Sequence, residues 1–295
     1  MVEDINYSDY ACVRLHSGDI SILVTRSVGP RILSLHFQGS DNLFAELPDF
    51  GLTRPDGTIF RLYGGHRLWH APEDEMRTYI PDNEPVEVIP DQHGLTVVQP
   101  VEIETGIEKQ LRISLVEDKS QIFVEHWLIN RGHTPLKCAP WAITQLRTGG
   151  IAVLPQSQEQ TGVLPNRTLA LWPYTDLSRS QVTWGSRHIL VEADMPSPFK
   201  VGFPNPRGWL AYWLDGILFV KRAAFDPQAE YFDFGSSSEC YCNDRFLELE
   251  TLAPISQLDV GESAVHTEVW ELYTGFARPE NEALAEKMIR AIGLE

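Results

Sequence analysis

Forty-one acidic against 24 basic side chains give this 295-residue chain a formal charge of −17, which excludes the basic footprint that nucleic acids and anionic membranes require of a partner. Hydrophobic residues make up 43% and charged residues 22%, enough apolar surface for a sizeable core and too little charge for disorder. The length suits one domain, residues 1–295, because all-β sandwiches often reach this size and no linker rich in Pro, Gly or Ser divides the chain.

The opening MVEDINYSDY lacks the basic and apolar regions of a secretory leader. No later run approaches the roughly 20 apolar residues of a membrane span, so a cytoplasmic location is expected. Short β-branched or aromatic segments bounded by turn residues then follow one another. They predict strands over Ile20 to Thr25, Arg31 to Phe37, Leu95 to Glu104, Ile107 to Val116, Gln121 to Asn130, Trp209 to Trp213, Ile217 to Lys221, Phe246 to Glu250 and Ser263 to Leu272. Within Ile107 to Leu115 the odd positions are apolar except Lys109, the alternation of a half-buried strand. Gln121 to Asn130 is apolar on both faces, as a strand between two layers would be. Turns are marked at Val28-Gly29-Pro30, Pro55-Asp56-Gly57, Asn130-Arg131-Gly132, Asn205-Pro206-Arg207-Gly208 and Asp215-Gly216. Residues Leu154 to Ser180 form the longest irregular stretch, and a long loop in a compact domain is often functional. A single helix closes the chain: Pro279, Glu280 and Glu282 open it, Leu284, Met288, Ile289 and Ile292 form its stripe, and Lys287, Arg290 and Gly293 end it. It is expected to pack as a lid on an edge. Together these predict an all-β sandwich of antiparallel sheets.

No phosphate loop, dinucleotide fingerprint, nucleophile elbow or zincin helix occurs, so no cofactor is expected. Cys12, Cys138, Cys240 and Cys242 read as reduced thiols, the last two sharing one strand face that would serve as a pocket wall. The densest polar cluster is Tyr63-Gly64-Gly65-His66-Arg67-Leu68-Trp69-His70-Ala71-Pro72-Glu73, taken as a loop. A Trp face stacks on sugar C–H surfaces and an Arg fork donates to hydroxyls, which points to a sugar cleft. A metal reading of His66, His70 and Glu73 fails on spacing, since extended backbone separates the two histidines by roughly 13 Å. In the second cluster, Glu239 to Pro254, residues Phe246, Glu248 and Glu250 point one way and Leu247 and Leu249 the other. Two carboxylates on one face suit a solvated edge or, in a pocket, a general acid or base.

Four stretches, VGPRILSLHFQGSDNLF (28–44), GGHRLWHAPE (64–73), IFVEHWLINRGHTPL (122–136) and FLELETLAPISQLDVGESAVHTEVWEL (246–272), resemble the galactose mutarotase-like family that includes the aldose 1-epimerases. The resemblance implies a large twisted β-sandwich with a sugar cleft on one sheet. It also implies that Glu250, in the phrase F-L-E-L-E-T, is the base acting on the anomeric hydroxyl. The family's acid is a His after the strand ending in N-x-x-x-x-P; here the stretch Cys138 to Leu146 holds none.

Three readings follow. In the first, an aldose 1-epimerase-like enzyme uses Glu250 as base and His66 or His70 as replacement acid. Arg67 and Gln145 then bind hydroxyls, Trp69 or Trp141 stacks on the ring, and Lys221, beside Arg222, meets a phosphate or uronate. In the second, a carbohydrate sensor has kept the cleft and lost the acid. In the third, a lyase or hydrolase uses Glu248 or Glu250 with another acid. All three take a small carbohydrate as partner and leave the oligomeric state open.

Overall fold

The computed structural model describes residues 2–116 and 119–294. Among these residues two antiparallel sheets form. The larger runs Val2–Tyr7, Tyr10–Ser17, Ile20–Thr25, Arg31–Phe37, Ile59–Ala71, Leu136–Leu146, Leu247–Leu252, Ser238–Cys242, Phe199–Phe203, Ala170–Leu171, with Glu46–Thr53 and Ser256–Leu258 attached beside it. The smaller runs Val182–Trp184, His188–Glu192, Ile151–Pro155, Trp209–Leu214, Ile217–Ala223, Ser263–Thr274, Gln121–Asn130, Ile107–Leu115, Gly94–Val98, Glu87–Pro90. Their facing sides share one apolar core, to which the central strands contribute alternate residues such as Leu247 and Leu249, Ile217 and Phe219, and Ile122 and Val124. No helix among the described residues is long and apolar enough to cross a membrane.

The predicted alternation of Ile107–Leu115 holds, and the structure explains its exception. Lys109 turns inward with its neighbours and meets Glu102 at 2.5 Å, both side chains being buried. The strand expected over Leu95 to Glu104 stops at Val98, two residues before Pro100, and Val101 and Ile103 are exposed. In Gln121–Asn130 the outer face is wetter than its composition implies, with Phe123 exposed.

The C-terminal helix spans Glu282–Ala291, and Asn281 caps it by accepting from the Leu284 amide at 3.0 Å. It covers the outer face of the smaller sheet rather than an edge. Ala285, Met288 and Ile289 pack on Ile151, Val153, Leu190 and Trp209, whereas Leu284 from the expected stripe is exposed. Asn281→Ala is expected to cost about 1 kcal/mol, read as a lower denaturant midpoint at unchanged slope.

The cluster expected to be a loop is the second half of the 13-residue strand Ile59–Ala71. Tyr63, Gly64 and Gly65 all have positive φ, at 56°, 92° and 75°. A Cβ on Gly64 would lie 1.9 Å from the Ala45 carbonyl oxygen, and one on Gly65 would lie 2.1 Å from that of Ile32, so only glycine fits. This irregularity shifts the alternation by one residue. Phe60 and Leu62 face outward before it; Arg67, Trp69 and Ala71 face outward after it, and His66, Leu68 and His70 turn inward. A one-residue shift moves every following side chain to the opposite face.

Candidate functional site

Five neighbouring strands of the larger sheet turn a continuous set of side chains away from the core. Ile59–Ala71 contributes Arg67 and Trp69, Leu136–Leu146 contributes Trp141, Ile143 and Gln145, and Leu247–Leu252 contributes Glu248, Glu250 and Leu252. Ser238–Cys242 adds Glu239 and Tyr241, and Phe199–Phe203 adds Lys200. Of these, Trp69, Trp141, Ile143, Glu248, Tyr241 and Lys200 line a cleft of about 340 Å³, a size that suits a small ligand. Its walls are aromatic. Phe60, Tyr79, Trp69 and Trp141 adjoin with ring centroids 5.2 to 5.7 Å apart, and Tyr174, Tyr241, Phe246 and Phe50 form a second run at 5.7 to 6.4 Å.

Beneath these rings lies a buried ion cluster. Lys200 Nζ is 2.7 Å from Glu239 and donates to Glu250 Oε2 at 3.0 Å, and all three side chains are buried. Trp141 Nε1 donates to the same Glu250 oxygen at 2.8 Å. The Lys200 ammonium also lies between two indole rings, 4.7 Å from that of Trp141 and 4.6 Å from that of Trp172. Burial alone would favour a neutral amine, but the two carboxylates hold Lys200 well above the ordinary lysine range. Burial pushes the Glu239 carboxyl well above its ordinary range; Lys200 opposes the shift, and the charges of Glu250 and Asp233 add to it.

A second chain of hydrogen bonds runs across the floor. Arg67 donates to the Leu62 carbonyl at 3.0 Å and to Gln145 Oε1 at 2.8 Å, and Gln145 Nε2 donates to Glu248 Oε1 at 2.8 Å. Burial and then the charge of Glu250 raise the Glu248 carboxyl to about 8, against the pull of Arg67, Lys200 and the Gln145 hydrogen bond. Glu248 lines the cavity, so it presents a carboxyl that keeps its proton at neutral pH to whatever the cleft holds.

No protein-family model matches the sequence, and no curated protein matches it. Solved structures do. A galactose mutarotase-like protein from Lactobacillus casei superposes with a TM-score of 0.60 at 10% identity, covering 89% of this chain and 100% of its own. The fold is that of the galactose mutarotase-like proteins. A TPR-domain containing protein from Parabacteroides distasonis shares it, with a TM-score of 0.64 and 15% identity over 92% of this chain. This chain spans 49% of that protein's length.

On this mutarotase-like scaffold the expected site residues separate into two groups. Trp69, Trp141 and Glu248 line the cleft, Glu250 lies below them, and Arg67 and Gln145 stand behind Glu248 and orient it. The others face the wrong side of the sheet for the roles expected of them. His66, carried inward by the shift at Gly64 and Gly65, sits within hydrogen-bond distance of Thr144 Oγ1 at 2.9 Å and His126 Nε2 at 2.7 Å. His70 likewise turns away and lies 3.1 Å from the Arg77 carbonyl; burial lowers it to about 3, leaving it neutral. Neither histidine reaches the cleft to act as its acid. Lys221 is fully buried between the sheets and pairs with Glu268 at 2.9 Å, so it meets no ligand phosphate, and its neighbour Arg222 pairs with Glu271. Cys240 and Cys242 do share a face, but it is the core face, not a pocket wall.

His66, His126 and Glu268 bring ligand-type atoms within 4.8 Å of one another. Each already has internal partners. Glu268 accepts from Thr251 and Trp270 and pairs with Lys221, whose ammonium supplies the positive charge that a metal ion would bring.

Lys200, Tyr79 and Tyr174 are functional candidates that sequence reasoning passed over, and Glu239 and Tyr241 fell within its second cluster without a role. The pattern Phe199-Lys200-Val201-Gly202-Phe203 did carry a signal, a lone cation on the face opposite three apolar residues. Tyr174 comes from the long irregular stretch after Leu154, which here builds part of a wall.

Proposed function

We propose that the cleft binds a carbohydrate and interconverts its anomers by proton transfer between two carboxyl groups. The supporting observation is Glu248: a carboxyl raised to about 8 lines an aromatic cavity two residues from the buried carboxylate of Glu250 on the same strand face. Trp69 and the tyrosines offer the sugar ring apolar faces.

In the forward step Glu250 takes the proton from the hydroxyl on C1, the bond from C1 to the ring oxygen breaks, and Glu248 gives its proton to that oxygen. An open-chain aldehyde results. Ring closure on the other face of the carbonyl returns both protons. The histidine that the resemblance implied is thus replaced by a carboxyl made proton-bearing by burial, at a position set by Gln145 and Arg67.

Exchange between α and β anomers, followed by NMR on a panel of free aldoses, tests the proposal. Because Glu248 acts in its protonated form, the rate should fall as pH rises through about 8. Glu248→Gln should remove that fall together with most of the rate. A pH profile unchanged in Glu248→Gln would remove Glu248 from the mechanism.

One observation favours a second reading, a carbohydrate-binding protein without catalysis. Glu250 is fully buried and already held by Lys200 and Trp141, which a base reaching for a hydroxyl must partly give up. Binding without accelerated anomer exchange would select this reading.

A further inference from the structure

The cleft does not end at its own walls. A second cavity of about 390 Å³ adjoins it, and Leu52 and Tyr79 line both. The register of Glu46–Thr53 sets the first of these: Leu52 lies opposite Phe60, and directly paired residues of antiparallel strands share a face, so Leu52 joins Phe60 on the cleft side. Although apolar, it is left exposed there. Tyr79 stands edge-on to Trp69 and donates its hydroxyl to Glu73, which also lines the cleft. Beyond these two residues the second cavity is bounded by Thr53, Arg54, Pro55 and Glu75. Arg54 makes it a fixed feature. Its buried guanidinium pairs with Asp56 at 3.1 Å and Glu104 at 2.8 Å and donates to the Met76 carbonyl at 2.8 Å, tying three segments of chain together beside the cavity. By contrast, the cavity lined by Trp172 and Phe234 shares no residue with the cleft, and its Trp172 ring packs on the Lys200 ammonium.

Anomer exchange takes place only at a ring whose C1 hydroxyl is free, so of a longer sugar only the reducing-end ring can lie over Glu248 and Glu250. The remainder must leave the cleft through an opening in its walls, and the passage past Leu52 and Tyr79 is such an opening. Leu52, Pro55 and the Tyr79 ring offer a further sugar ring apolar contact, and Thr53 and Glu75 offer it hydrogen-bonding groups. Resting on the carbohydrate reading of this cleft, we infer that its ligand is a reducing disaccharide or longer saccharide. The reducing-end ring occupies the aromatic cleft, and the next ring occupies the second cavity against Leu52, Tyr79 and Thr53. Contacts made by that second ring then hold the first in register over the two carboxyls.

The test is titration of the full chain by ligand-observed NMR and calorimetry, with anomer exchange followed on the same samples. Glucose and galactose are compared with lactose and with the 1,3-, 1,4- and 1,6-linked glucose disaccharides of both configurations. At least one disaccharide should bind about tenfold or more tightly than the monosaccharide at its reducing end. Thr53 and Glu75 are exposed and line the second cavity but not the cleft. Thr53→Trp and Glu75→Trp should each fill that cavity and cut the disaccharide's advantage to about threefold or less, while monosaccharide affinity and exchange stay as they are. Equal or weaker binding of every disaccharide overturns the inference and leaves the carbohydrate reading standing. So does a disaccharide advantage that survives both substitutions, which would place the second ring elsewhere. A disaccharide preference that both substitutions abolish, but without accelerated exchange, supports the second-ring site and selects the binding protein without catalysis. Neither binding nor exchange of any of these sugars overturns the carbohydrate reading and the inference with it.

Discussion

Glu250→Gln should lower the rate of anomer exchange by about 10² to 10⁴, the usual contribution of a positioned general base, while sugar affinity stays within about tenfold. The asymmetry follows from where the residue sits. Glu250 is fully buried under Trp141 and Lys200, so the isosteric amide keeps the shape of the floor and a carbonyl oxygen for Trp141 Nε1. It loses the capacity to take a proton and the charge that pairs with Lys200, which keeps Glu239 at 2.7 Å as its partner. Measuring binding and exchange on the same sample separates the two effects. Retention of full exchange would remove Glu250 from the mechanism, and a parallel collapse of binding and unfolding midpoint would make it a structural residue.

Lys200→Met should destabilise the fold by about 3–5 kcal/mol near pH 8, because it leaves Glu239 and Glu250 buried side by side with no cation between them. The loss should shrink on acidification. A carboxyl whose folded value is raised, as that of Glu239 already is with Lys200 present, binds more protons folded than unfolded. The charge penalty is therefore absent below the unfolded carboxylate range and develops as pH rises toward the folded value; removing Lys200 extends it upward. Chemical unfolding of wild type and variant from pH 5 to 8 reads both the size and the slope. A pH-independent difference would assign the whole effect to lost packing of the lysine stem between Trp141 and Trp172. The double variant Lys200→Met, Glu239→Leu should recover part of the loss, since it replaces charge with volume.

Much of this architecture was legible in the local pattern. Period-2 alternation set Leu247 and Leu249 on one face and Phe246, Glu248 and Glu250 on the other, and the structure has the leucines in the core and the second set on the cleft side. The resemblance carried by four loose stretches gave the fold. What alternation could not supply was the shift at Tyr63 to Gly65, because a run of positive φ leaves no apolar signature beyond the glycines themselves. Reading through it turns His66 and His70 to the wrong side. The Lys200 cluster was hidden for a different reason: its members come from three strands 39 or more residues apart in some pairs, and nothing local sets which strand pairs with which. The inward Lys221 and Glu268 fit the alternation of their strands but break the expectation that charges face water; their mutual ion pair and hydrogen bonds to buried neighbours take the place of solvent.

Lys221 reaches across the sandwich and donates to the Ala142 carbonyl at 3.0 Å and the Leu249 carbonyl at 2.9 Å. Those two carbonyls belong to the strands that carry Trp141 and Ile143 on one side and Glu248 and Glu250 on the other. One ammonium therefore bolts the cleft floor from behind to the opposite sheet, with Glu268 as its anchor. Variation in the shape of the cleft then falls to the walls, above all to the irregular segment that brings Trp172 and Tyr174, while the spacing of Glu248 and Glu250 stays that of a rigid jig.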